Sequence, residues 1–138
     1  MVVTRSLTLT TLANGQVIDV NAQVSQAVAE SGLRAGIVTI FVAGTTAGVT
    51  IMEFEPGLVM DLAAAMERLV PRGIPYQHNI LNNDDNGHSH TQATLVGPSI
   101  VVPFSDGKLM LGTWQRVVLI DFDSRARERR LVLQVMGE

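Results

Sequence analysis

The chain has 138 residues, 46% of them hydrophobic and 17% charged, enough apolar content for one domain with a real core and too much for a disordered chain. A formal charge of −3 gives no basic face for nucleic acid or an anionic membrane, and neither partner is expected. There is no cysteine, which excludes disulfides and thiolate metal sites, so any metal must be held by His, Asp, Glu, Asn or water. The N-terminal segment MVVTRSLTLTT lacks a secretory apolar region and no apolar run reaches membrane-spanning length, so a cytoplasmic protein is expected.

Val3 to Thr11 alternates Leu7 and Leu9 with Thr8 and Thr10, the period of a half-buried strand. Asn14-Gly15 signals a tight turn, and Gln16 to Val20 can return as a second strand. Asn21 is placed to cap a helix whose apolar stripe is Val24, Ala27 and Val28 and whose end is Ser31-Gly32. Gly36 to Val42 is continuously apolar and reads as a buried strand. The small-residue stretch GTTAG, Gly44 to Gly48, precedes a second apolar run, Val49 to Met52.

Pro56-Gly57 opens the clearest helix, with Val59, Leu62, Ala63, Met66, Leu69 and Val70 on one side, and Pro71, Gly73 and Pro75 end it. Tyr76 to Gly97 then reads as a polar loop around Asp84. Beyond it Ser99 to Phe104, Lys108 to Leu111, Val117 to Asp123 and Arg130 to Met136 read as strands, with turns at Asp106-Gly107 and Asp123-Ser124. The expected fold is α+β: a single domain over residues 1–138, a mostly antiparallel β-sheet with two main helices.

The polar stretch holds all three histidines, His78, His88 and His90, with Asp84 and Asp85 between them. It is poor core material and a plausible centre for metal binding or acid–base chemistry. On an extended chain His88 and His90 share a face and reach one ion; on a helix they diverge by about 200°. Gly87, Ser89 and Thr91 permit extension, whereas His90, Ala93, Thr94 and Gly97 have helical spacing, so both conformations stay open. GTTAG offers close backbone approach and two hydroxyls, Thr45 and Thr46, suited to phosphate or carboxylate. Glu53 could aim a carboxylate at the same pocket. Trp114 is read as a packing residue, and the Arg127, Arg129, Arg130 cluster as a solvated hairpin rim.

The ordered blocks TTAGVTIME, RLVPRGIPYQHN, HTQATLVGPSIVVPFSDGKLMLGTWQ and LVLQVMGE give the chain a resemblance to the YjbQ family, whose members are described as secondary thiamine-phosphate synthases. It runs from about Leu7 to Glu138. The resemblance implies an α+β subunit of a homotrimer, a polar pocket at subunit boundaries, a divalent metal (Zn or Mg), and transfer of a pyrimidine diphosphate onto a thiazole phosphate. It matches His78, His90, Thr45, Thr46, Gly97, Ser99, Trp114 and Gln115. Glu53, His78 and His90 would be catalytic. Thr45, Thr46, Gln92, Ser99 and Trp114 would bind a phosphorylated substrate. His78, His88, His90 and Asp85 would hold the metal.

The chain departs from the family at Gly44, where relatives carry His, at Met52, where they carry Asn, and at Gln92, where they carry Lys. Losing an imidazole weakens a metal site, and losing a lysine removes a charge-assisted bond to phosphate. The competing expectation is therefore a non-catalytic trimeric module that kept the pocket without the chemistry.

Overall fold

The computed structural model describes residues 1–138. Eight strands and four helices follow in the order β1 (Val2–Thr11), β2 (Gln16–Asp19), α1 (Asn21–Ser31), β3 (Ala35–Ala43), β4 (Ala47–Met52), α2 (Pro56–Leu69), α3 (Gln77–Asn82), α4 (Gly87–Val96), β5 (Ser99–Ser105), β6 (Lys108–Leu109), β7 (Arg116–Asp121) and β8 (Arg127–Gly137). All strand pairs are antiparallel. They form a five-stranded sheet in the order β1-β8-β3-β5-β6 and a three-stranded sheet in the order β2-β7-β4. The α+β class is as expected, with two helices more than the periodicity suggested.

The small sheet is the middle layer. Val117 and Leu119 of β7 point to the large sheet and join a core with Val38, Ile40, Leu131 and Leu133. Val118 and Ile120 point the other way, with Phe122 just beyond the strand, and meet Ala93 of α4 and Leu62 and Met66 of α2. Period-2 alternation therefore gives β7 two buried faces, and its sequence is apolar throughout. Helix α1 adds Val24, Ala27 and Val28 to the main core. Close packing of α4 on β4 requires Gly48: a Cβ there would lie 2.8 Å from Val96 Cγ1 and 2.9 Å from the Gly97 carbonyl.

Several local expectations need correction. Residues 36–42 form a strand buried on one face only. Val38, Ile40 and Val42 are fully buried, whereas Ile37 and Phe41 are 39% and 41% exposed, because no layer covers the outer face of the large sheet. Asn21 is not the cap of α1. Its Oδ1 instead accepts from the Val117 amide, which ties the helix start to β7. The final strands shift at their ends: β6 stops at Leu109, and β8 starts at Arg127. The Asn14-Gly15 turn forms with both residues at positive φ. Helix α2 starts as expected, with the Glu55 carboxylate accepting from the Gly57 and Leu58 amides.

The polar stretch is not a loop. It folds as two short helices, α3 and α4, joined through Asn83 in the left-handed conformation. Gly87 opens α4 where only glycine fits, since a Cβ would stand 2.6 Å from Tyr76 Cβ.

Candidate functional site

The helical reading of α4 decides the histidines. His78 and His90 fold back on one another, ring centroids 4.4 Å apart and planes tilted by 47°. His88 leaves on the other side of α4, is only 7% exposed, and lines a cleft under α2. Two residues along a helix turn a side chain by about 200°, so His88 cannot share a ligand with His90 as it would from an extended chain. Burial, the largest effect, holds the His88 imidazole below its ordinary pKa and so in the neutral form, with the nearby Arg72 charge acting in the same direction.

His78 is oriented from behind. Its Nε2 lies 3.1 Å from Asn86 Oδ1 and 3.5 Å from Asp84 Oδ2. Asn86 Nδ2 in turn donates to Asp123 Oδ1 at 3.3 Å. The amide dipole of Asn86 thus fixes the tautomer with Nε2–H as donor to Oδ1. Asp84 is held below the usual carboxylate range, first by the Asp85 amide and then by His78.

Asp123 belongs to a buried polar network. Its carboxylate also accepts from Thr46 Oγ1 (3.0 Å), Arg127 Nε (2.8 Å) and the Ser124 amide (2.7 Å). Burial pushes its pKa up, but these bonds outweigh it and hold the group at about 2. Asp121 behaves likewise: burial raises it, yet Arg129, Thr11 and the Asp123 amide bring it below the usual range. Arg129 is 6% exposed and grips Asp121 through Nε (2.8 Å) and Nη2 (2.9 Å), while Nη2 also reaches Thr46 Oγ1 at 2.6 Å. No buried side-chain nitrogen or oxygen is left without a partner. Arg129 is therefore no solvated rim residue, and Asp123 is more than a turn former. Asp121, Asp123, Asn86 and Arg129 escape sequence reasoning because each looks ordinary locally. The one available signal is the matched spacing of two acids, Asp121 and Asp123, before a turn and two arginines, Arg127 and Arg129, after it.

The expected site residues divide among several places. Thr45 is exposed and lines a cleft of about 250 Å³ with Gly44, Ala47, Ala93, Thr94 and Pro98. His90 lies one turn before Thr94 on the same helix, and its carbonyl accepts the Thr94 hydroxyl. Thr46 does not face that cleft for ligand capture, because its hydroxyl is engaged by Asp123 and Arg129. Gln92 is buried and its Nε2 donates to the Val70 carbonyl at the end of α2, so it does not stand in for a phosphate-binding lysine. Ser99 starts β5 opposite Phe41, exposed and without a side-chain hydrogen bond to the histidines. Asp85 pairs with Ser124 and Arg125 and makes no hydrogen bond to an imidazole. Glu53 and Trp114 both line a separate groove of about 420 Å³, with Phe54, Asp19 and Arg116. Trp114 is largely exposed there, and is not the packing residue its surroundings in sequence suggest.

The donors do not converge on a cation. No three of the His, Asp and Glu side chains form a group that could hold a metal ion, and His78 Nε2 already faces Asn86 and Asp84. A resident zinc or magnesium does not fit the residues of one chain.

This arrangement is an antiparallel α+β domain with a helix-borne histidine pair braced by a buried acid–arginine network. The chain belongs to the UPF0047 family of YjbQ-like proteins, whose family model matches residues 5–138. A UPF0047 protein of Archaeoglobus fulgidus is 43% identical over 130 residues, covering 94% of this chain and 98% of the relative. One from Methanothermobacter thermautotrophicus is 36% identical over 137 residues, covering 99% and 94%. Among solved structures, a YbjQ-like protein of unknown function from Sulfolobus solfataricus P2 superposes with a TM-score of 0.90 at 32% identity, covering 100% of both chains. A hypothetical protein from Aeropyrum pernix K1 gives a TM-score of 0.86 at 34% identity, covering 97% and 99%. No helix of the chain is long and apolar enough to cross a membrane.

Proposed function

We propose that this chain binds a phosphorylated small molecule at the cleft framed by Gly44, Thr45, Ala93 and Thr94, close to His90. The observation that carries this reading is the exposed, unpaired Thr45 hydroxyl in the cleft, with Arg129 packed directly behind Gly44 of its wall. The Arg129 Nε and Nη2 are clamped by Asp121 and Thr46. Nη1 makes no protein hydrogen bond and lies against Gly44, 2.9 Å from where a Cβ would stand. The free Thr45 hydroxyl can donate to an oxyanion in the cleft, and the Arg129 charge behind Gly44 favours an anion there. The two carboxylates and two guanidinium groups of the network balance in charge, so capture relies on directed donors more than on net field. His78 and His90 supply acid–base capacity, with the His78 ring held by Asn86.

The likeness to proteins described as secondary thiamine-phosphate synthases makes transfer of a pyrimidine diphosphate onto a thiazole phosphate the reaction to assay. The same reading takes the chain as a homo-oligomer, a trimer by that likeness. Support comes from the outer face of the large sheet, where Ile37, Phe41, Val101 and Met136 stand exposed. The second reading, a non-catalytic binding module, is favoured by the absence of a three-donor metal group and by the burial of Gln92.

One experiment separates the readings. Inorganic phosphate is titrated into labelled protein while the Arg129 and Thr45 signals are followed. Purified protein is then incubated with both substrates and Mg²⁺ and assayed for product. Saturable shifts with product support the enzyme; shifts without product support the module. No shift at either residue rejects the pocket.

A further inference from the structure

Helix α2 has an apolar face yet contributes no fully buried residue. It is pinned at its ends, by the Glu55 cap at the start and by Gln92 Nε2 on the Val70 carbonyl at the finish. Between them, Leu62, Ala63 and Met66 look across at Val17, Ile120 and Phe122 over a cleft of about 70 Å³. Protein interiors ordinarily close such gaps. Here the gap has a polar end that nothing in the protein completes.

That end is formed by His88 and Gln92, each 7% exposed. His88 Nε2 pairs with Ser89 Oγ at 3.3 Å and Gln92 Nε2 donates to Val70, which leaves His88 Nδ1 and Gln92 Oε1 without protein partners. No sealed side-chain nitrogen or oxygen is unpaired, so neither atom is closed off from solvent, and both residues line the cleft. At the mouth Arg72 is paired, its Nε 3.6 Å from Glu67 Oε2 and its Nη1 3.4 Å from Asn14 Oδ1. The His88 ring is itself neutral. The cleft therefore combines apolar walls, an acceptor and an uncharged imidazole nitrogen, with a paired Arg72 and Glu67 at its mouth. Pockets that orient a small ligand have this composition.

We propose that the cleft beneath α2 is a second binding site, for a small uncharged molecule with an apolar body and a carboxamide-like edge. The ligand N–H donates to Gln92 Oε1, His88 Nδ1 meets the adjacent polar atom, and the body lies between Met66 and Phe122. A charged carboxylate of the same shape is excluded, because Gln92 Oε1 would face it with a second acceptor and the Arg72 charge is already paired. The site lies across α4 from the His78–His90 pair and is independent of the phosphate reading.

The test uses isobutyramide and isobutyrate as matched probes on the full chain, followed by NMR of the Met66 methyl and the three imidazoles. Isobutyramide is expected to give saturable shifts at Met66 and His88, with His78 and His90 unmoved. Isobutyrate should bind at least tenfold more weakly. Ala63→Met, which fills the cleft with a flexible apolar chain, should abolish the amide shifts while its amide spectrum stays folded. Absence of saturable shifts in the unsubstituted protein overturns the proposal whatever the variant does. So does equal binding of both probes, or binding that survives Ala63→Met.

Discussion

Acid stability offers the sharpest check on the buried network. Asp123 is 1% exposed, and its pKa is brought from 3.8 to about 2 by bonds from the Ser124 amide, Arg127, Thr46 and Asn86, acting against its burial. Lowering it from 3.8 to about 2 corresponds to roughly 2–3 kcal/mol at ~1.4 kcal/mol per pH unit. The sign follows from which state holds the proton. The unfolded carboxyl protonates near 3.8 and the folded one near 2. The contribution is therefore complete above about pH 5, declines as pH falls through 3.8 towards 2, and is gone below that. Asp123→Asn preserves shape but cannot ionise, and it turns an NH₂ towards donors. It should lose roughly 2–3 kcal/mol or more at pH 7. Urea unfolding of both proteins is measured by circular dichroism across this range at fixed ionic strength. Asp121 is present in both, so its own titration enters both curves. The difference between the two should be flat near neutrality and close steadily in acid. A difference that does not change with pH would refute the assignment, because it would mean that the carboxylate charge is not what the network stabilises.

Two further outcomes follow from geometry. His88, depressed by burial, should titrate below its ordinary 6.5 in ¹⁵N NMR of the imidazoles. Its folded form resists protonation, so this group's contribution is present above 6.5 and falls as pH drops beneath it; a midpoint at or above 6.5 contradicts the burial. If the outer face of the large sheet joins copies of the chain, light scattering should give a multiple of 14.9 kDa, and Phe41→Lys, which places a charge on that face, should shift the distribution towards the monomer at least tenfold in dissociation constant. A monomeric unsubstituted protein refutes that use of the face.

The sequence was most legible where local periodicity and tertiary burial agree. Leu7 and Leu9 alternate with threonines because β1 is covered on one side only, and the Asn14-Gly15 turn carries its own backbone chemistry. Residues 36–42 misled because an apolar outer face looks in sequence like a second buried one. Helix α4 was harder still. Gly87, His88, Ser89, Gln92 and Ala93 are buried together, so its inward face is mostly polar and no apolar stripe marks it. The spacing of His90, Ala93, Thr94 and Gly97 was the helical signal present, and it was balanced by residues that tolerate extension. That single ambiguity governed the site, since a strand would have joined His88 to His90 and the helix separates them.

The long-range network explains why the histidine pair can be placed at all. An apolar core fixes α4 against β4 through Ala93, Val96 and Gly48, but dispersion contacts are tolerant of small rotations. Directional bonds are not. Thr11 comes from β1, Asp121 from β7, Arg129 from β8 and Thr46 from the β3–β4 connection, and Asp123 passes their positions to Asn86 and thence to His78. Buried ion pairs recover their desolvation cost poorly, and replacing one with apolar residues is often neutral for stability. What such a replacement could not supply here is the line of hydrogen bonds from two sheets to one imidazole. The network's contribution is therefore positioning. Its removal should disorder the His78 ring before it unfolds the domain.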